Sequence, residues 1–301
     1  MTTAADEIRD GLHPDEAALK NSAARLSILA AGFLIVLKTA TGFLTGSISV
    51  WASLLDSTMD IFASAINYFA VRAASRPPDE DHAYGHGKVE SLAGLFQALV
   101  ITASGLYIVW EAISRLIEPR ETRAEGIGIA TMIVAVLVSL GLVYRLKSVA
   151  RKTDSPALAA DAVHYVTDIY SNGAALAALA VSYFTGWLLA DPLFSLAISA
   201  YILASAFSVA RDSIDVLMDK RLPAEVDELV GRIVGGFRER GVVGFHDLRT
   251  RRSGSLKFID LHLEVERDKS LEEAHDLTVQ VIRAIQAELP RTRVQVHTDP
   301  V

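Results

Sequence analysis

The chain of 301 residues contains no cysteine. That absence excludes a disulfide framework and any thiolate metal site. Charge is also sparse: 22% of residues are charged and 51% are hydrophobic, with a mean hydropathy of +0.31. So apolar a composition excludes disorder over most of the chain. A positive mean hydropathy beside that much charge implies two unlike parts, one very apolar and one ordinary. A basic excess is missing too. The net charge of -7 argues against nucleic acid as a partner. With no thiol, the eight histidines are the side chains that direct attention to metal chemistry.

Six segments are long and apolar enough to read as membrane spans of about 20 residues each. They cover 26–44, 48–71, 91–113, 126–144, 157–184 and 189–210. Their Gly, Ala and Ser content suits close packing of helices in lipid. Twelve Lys and Arg flank these spans on one side, against Arg115, Arg120 and Arg123 on the other. That imbalance places both termini in the cytoplasm. Residues 1–21 are polar and lack an apolar run before a cleavage site. They read as a cytoplasmic segment rather than a secretory signal. The predicted fold class is thus an α-helical membrane bundle of six transmembrane helices (22–215), a linker (216–221) and a small cytoplasmic α+β domain (222–301). Positions 222–301 hold 14 acids and 12 bases, with no long apolar run. Their pattern predicts a helix over 224–240, strands over 242–252 and 256–266, a helix over 270–289 and a strand over 293–298. The stretch 256–266 alternates strictly, with Ile259, Leu261, Leu263 and Val265 on one face, which marks a half-buried strand. Ser270 and Glu273 have capping-box spacing. The order is α-β-β-α-β.

Asp56 and Asp60 in the second span, and His164 and Asp168 in the fifth, are each four positions apart. That spacing stacks each pair on one helix face. Asn67 and Asn172 continue the two stripes. An acid at mid-membrane costs about 2.5–3.5 kcal/mol on insertion scales, so three without partners would cost on the order of 8–10 kcal/mol. Neither span offers a basic residue of similar depth, whereas a bound cation would offset the charge. Three carboxylates and one imidazole make an O3N set that suits Zn²⁺ and tolerates Cd²⁺, Fe²⁺, Co²⁺ or Mn²⁺. Empty, such a cluster carries about -3 and takes up protons, and imidazole titrates near neutral pH. The residues thus offer metal-for-proton exchange. Two plainer readings remain open: a polar network that fixes helix packing, and a proton relay without metal.

The loop 79–88, DEDHAYGHGK, is kept out of helix by Pro77, Pro78, Gly85 and Gly87. Asp79, His82 and His86 could converge there on one metal, or form a solvated histidine-rich loop. Within 222–301 stand His246 beside Asp247, His262, His275, and His297 close before Asp299. A site of one or two metals with an Asp bridge suits that composition. No HExxH pattern occurs, which argues against an intramembrane metalloenzyme.

The combined pattern resembles the cation diffusion facilitators, bacterial zinc transporters among them. It lies in Asp56-x-x-x-Asp60, His164-x-x-x-Asp168, YGHGKVESLAGL (84–95), HDLRTRRSG (246–254) and VHTDP (296–300), and covers nearly the whole chain from about residue 20. The resemblance implies a homodimeric secondary transporter, not an enzyme, that exports Zn²⁺ from the cytoplasm in exchange for protons across a bacterial inner membrane. It implies Asp56, Asp60, His164 and Asp168 as the transport site, Asp79, His82 and His86 as a loop site, and His246, His262, His275, His297 and Asp299 as a binuclear cytoplasmic site of structural or regulatory zinc. It also implies a Lys88–Asp219 interlock at the dimer. Transport of Fe²⁺, Cd²⁺ or Mn²⁺ is the alternative, and a non-transporting metal sensor or scaffold a further one.

Overall fold

The computed structural model describes residues 14–45, 48–118, 126–187 and 189–301; the side chains at 14, 42, 44–45 and 48–57 are outside the described set. Among the described residues six long helices come first: α1 (Pro14–Thr45), α2 (Ile48–Ala74), α3 (Lys88–Ile117), α4 (Gly126–Thr153), α5 (Pro156–Thr185) and α6 (Ala190–Leu217). Among the described residues, Asp15–Thr41, Lys88–Ile117, Gly126–Thr153 and Ala190–Leu217 are long and apolar enough to cross a membrane. These belong to α1, α3, α4 and α6. The other two helices, α2 and α5, carry the ionisable stripes. Asp161, His164, Asp168 and Asn172 add polar groups to α5 along its length.

The chain divides into two compact units. Among the described residues, one comprises 15–74 and 89–214, and the other 75–88 and 215–301. In the helical unit the core is small: Ala23, Ala24, Ala70, Ala93, Ala157 and Ala162 pack around Leu146, Leu158 and Tyr165. The large apolar side chains Leu29, Phe43, Phe69 and Trp110 point outward. Small groups inside and large apolar groups outside suit a lipid surround, where helices gain from close approach and nothing drives Leu or Phe inward. Ser155 N-caps α5, with Pro156 following it at the first helical position, and Gly186 ends the helix in the left-handed region. Both ends follow the usual chemistry of helix termini.

Lys20, Glu90 and Ser155 tie α1, α3 and the start of α5 together inside this unit. Lys20 Nζ lies 2.7 Å from Glu90 Oε1, and Ser155 Oγ donates to Glu90 Oε2. Lys20 and Glu90 are each 1% exposed.

The second unit contains α7 (Ala224–Gly235), a 3₁₀ turn (Arg238–Arg240), β1 (Val242–Ser253), β2 (Leu256–Val265), α8 (Leu271–Glu288) and β3 (Thr292–Pro300). The helix expected over 224–240 therefore stops at Gly235. The Gly235-Gly236 pair disfavours continuation through its backbone entropy, and Gly236 closes the helix with bonds to the Arg232, Ile233 and Val234 carbonyls. The α-β-β-α-β order and the capping box are as the sequence predicts. The sheet order is β1-β2-β3, antiparallel between β1 and β2 and parallel between β2 and β3. Ile259, Leu261, Leu263 and Val265 bury their face against Val230, Val234, Val281 and Ile285 of α7 and α8. The opposite sheet face is left for polar residues.

The loop 75–88 belongs to this second unit, which the sequence does not reveal. Its docking depends on two glycines. A Cβ on Gly87 would lie 2.5 Å from Ser253 O, and one on Gly254, at φ +58°, would lie 2.7 Å from Gly87 O. Beside them Tyr84 meets Phe258 edge-on, with ring centroids 5.9 Å apart. The Arg251 guanidinium covers both rings, a favourable cation–π arrangement.

Candidate metal centre

Helices α2 and α5 bring Asp60, His164 and Asp168 together. His164 Nε2 lies 3.0 Å from Asp60 Oδ1 and 3.9 Å from Asp168 Oδ2. One donor atom from each of the three lies within 4.8 Å of the others. The i, i+4 spacing sets His164 and Asp168 on one face, as the sequence implies, while the meeting with Asp60 is a product of tertiary packing. The side chain of Asp56 lies outside the described residues; its backbone belongs to α2, about one turn before Asp60. Thr167 Oγ1 donates to His164 O at 2.6 Å. At Asn172, Nδ2 donates to Asp168 O at 2.8 Å.

The loop brings Asp79, His82 and His86 together. His82 Nδ1 lies 3.2 Å from Asp79 Oδ1 and His86 Nε2 lies 3.2 Å from Asp79 Oδ2, and the two rings are 4.6 Å apart by centroids. The His82 backbone N–H donates to Asp79 Oδ1 at 2.7 Å. This bond is the leading reason that the carboxyl is held below its ordinary range, because it favours the charged form. His86 Nδ1 is buried without a partner.

In the second unit the sheet register makes a row of histidines. His246 on β1 pairs with His262 on β2, which pairs with His297 on β3. Their ring centroids are 5.0 and 4.8 Å apart. Asp299 serves the whole row, with Oδ2 2.9 Å from His262 Nδ1 and 3.5 Å from His246 Nε2. Its Oδ1 is 3.3 Å from His297 Nε2. The carboxyl is held low, first by the His262 hydrogen bond and then by the charges of the three imidazoles, all of which favour the carboxylate. The register shifts after His246, where Asp247 adopts a φ of +51°. Such a bulge re-aims the side chains beside it. Of the expected cytoplasmic ligands, His246, His262 and Asp299 form one ligand-ready group, and His297 borders it. His275, on α8, is not brought into that group.

Lys88 and Asp219 pair within the chain at 3.0 Å, and Arg251 donates to the same carboxylate at 3.3 Å. Lys88 Nζ also donates to Leu217 O, one of the last carbonyls of α6, which a helix leaves without an internal partner.

Two residues near these sites escape a reading of the sequence. Glu264, next but one to His262 on β2, lies 3.0 Å from His246 Nδ1 through its Oε1. Asp161, fully buried on α5, accepts from Ser27 Oγ of α1 at 2.6 Å. Asp161 carries a visible signal, since it stands three positions before His164 on the same helix face.

Residues 24–218 match the model of the cation efflux transmembrane domain, and residues 223–301 that of the cation efflux protein cytoplasmic domain. The cation-efflux pump FieF of Serratia proteamaculans (strain 568) is 41% identical over 289 residues, covering 96% of this chain and 95% of that one. FieF of Klebsiella pneumoniae is 40% identical over 282 residues, covering 94% and 93%. A solved structure of the putative zinc transporter CzrB in a zinc form is 36% identical, covers 27% of this chain and 92% of its own, and superposes with a TM-score of 0.23.

Proposed function

The chain belongs to the cation diffusion facilitators, the cation efflux family, and on that premise we propose that it is a zinc/proton antiporter exporting Zn²⁺ from the cytoplasm. It is a multi-pass membrane transporter of divalent cations, not an enzyme. The observation that carries the finer reading is the convergence of Asp60, His164 and Asp168 inside the helical unit.

Zn²⁺ is the substrate that this donor set favours. It needs four donors without a demanding geometry, and imidazole with carboxylates supplies them when Asp56 joins from one turn away. The same donor atoms bind protons, so metal and protons compete for one site. In the mechanism Zn²⁺ enters from the cytoplasm and displaces protons, the bundle reorients, and external protons release the metal outward. The inward proton gradient drives the cycle. Both termini face the cytoplasm of a bacterial cell, the bundle is bounded by inner-membrane lipid, and the working unit is a homodimer. Metal held by His246, His262 and Asp299, with His275 and His297 as further ligands, joins the cytoplasmic domains. Metal held by Asp79, His82 and His86 fixes the loop. Lys88 and Asp219 stabilise the assembly at the membrane surface.

Inverted vesicles with an imposed pH gradient test the reading. Zinc uptake should collapse in Asp60→Ala and His164→Ala; uptake at the parent rate in either variant overturns it. His164→Asp should shift preference from Zn²⁺ and Cd²⁺ toward Mn²⁺, because an all-oxygen shell suits the harder ion.

A further inference from the structure

The polar stripe of α5 extends beyond the triad to Asp161, which is fully buried. Its Oδ2 is held by Ser27, while its Oδ1 closes no hydrogen bond. On α2, Asn67 is 4% exposed and near enough to interact with Asp161, yet its Nδ2 closes no hydrogen bond either. Asn67 lies toward the end of α2 and Asp161 toward the start of α5, which alternating spans put on one membrane side, nearer the cytoplasm than the triad. Tyr165 completes this layer. Its OH donates to Ser27 O at 3.3 Å and shares a hydrogen bond with Ser64 Oγ at 2.9 Å. Ser27 and Ser64 are 0% exposed and Tyr165 1%, whereas the Asp60 and Asp168 side chains are 17% and 31% exposed. The two triad carboxylates are thus part-exposed while the layer beside them is buried.

A buried acceptor and a buried donor that stop short of bonding are costly. They mark groups that a second arrangement of sliding helices would pair. We propose that Asp161 is a positioning residue of a gate on the cytoplasmic side of the triad: Ser27 holds it in the closed arrangement, and Asn67 becomes its hydrogen-bond partner in the opened one. The proposal rests on the exchange reading above. Sliding α5 against α1 and α2 releases the Ser27 bond and makes the Asn67 bond, and His164 moves with Asp161 because both stand on one helical turn.

The lack of cysteine makes a clean test, since Ser64→Cys places a single thiol inside the layer. In inverted vesicles a membrane-impermeant thiol reagent should label it slowly. Adding Ser27→Ala should raise the labelling rate at least tenfold. Asp161→Asn, without the cysteine, keeps the acceptor for Ser27 but loses the carboxylate oxygen for Asn67. Zinc turnover should fall at least tenfold with KM within twofold of the parent. A merely structural residue would lower the yield of folded protein and leave labelling and the ratio of turnover to KM alone. Labelling within twofold of the single-cysteine parent in Ser27→Ala, or parent turnover in Asp161→Asn, overturns the gate. Failure of the parent itself to exchange zinc for protons overturns the exchange reading instead, while the labelling result still reports on the gate.

Discussion

Breaking the Lys20–Glu90 pair tests whether the helical unit is fastened by a buried charge. Both side chains are 1% exposed, and their charged atoms are 2.7 Å apart. Glu90→Gln keeps the shape and an acceptor for Ser155 but removes the carboxylate charge that faces buried Lys20. Removing one partner of such a pair costs about 3–5 kcal/mol, most of it the penalty of the charge left behind. For a unit of this size each kcal/mol is worth about 2–4 °C, so the melting temperature should fall by about 6–20 °C. Lys20→Met should do the same from the other side. The double variant Lys20→Met with Glu90→Leu removes both charges at similar volume and should melt close to the parent or above it. Thermal melts of detergent-purified protein, read by size-exclusion of the surviving fraction, measure all three. Single variants that melt with the parent, or a double variant as unstable as the singles, would refute the reasoning.

Other perturbations address the second unit. Gly87→Ala puts a Cβ against the Ser253 carbonyl and should cost about 1–3 kcal/mol by overpacking, seen as earlier protease cutting within 75–88. Ser270→Ala removes the cap of α8 and should cost about 1 kcal/mol, read as a lower denaturant midpoint. The Asp299 carboxyl titrates lower in the folded chain than unfolded. Its contribution is therefore present above the unfolded value of about 4 and is lost as pH falls through the folded one. The acid limb of unfolding should be shallower in Asp299→Asn, and an unchanged limb would contradict that linkage.

What can be read from the sequence is periodic. The i, i+4 spacing of His164 and Asp168 and the alternation of 256–266 follow from helix and strand geometry, and both are observed. What needs the structure is register and facing. His246, His262 and His297 become one row only through an antiparallel and a parallel pairing that no local signal specifies. Gly87 and Gly254 lie far apart in the chain and look like two ordinary turn glycines until their backbones meet. Asp161 shares a helix face with His164, yet the pattern of one apolar helix does not tell how deeply a single acid is buried against another.

The claim that the metal substrate rests between α2 and α5 has a direct measurement: anomalous scattering from zinc-loaded crystals at the zinc edge. A peak bounded by Asp60, His164 and Asp168, lost in His164→Ala while peaks elsewhere persist, is the predicted result. Peaks confined to the loop and the histidine row of the sheet, with none inside the bundle at saturating zinc, would contradict the account.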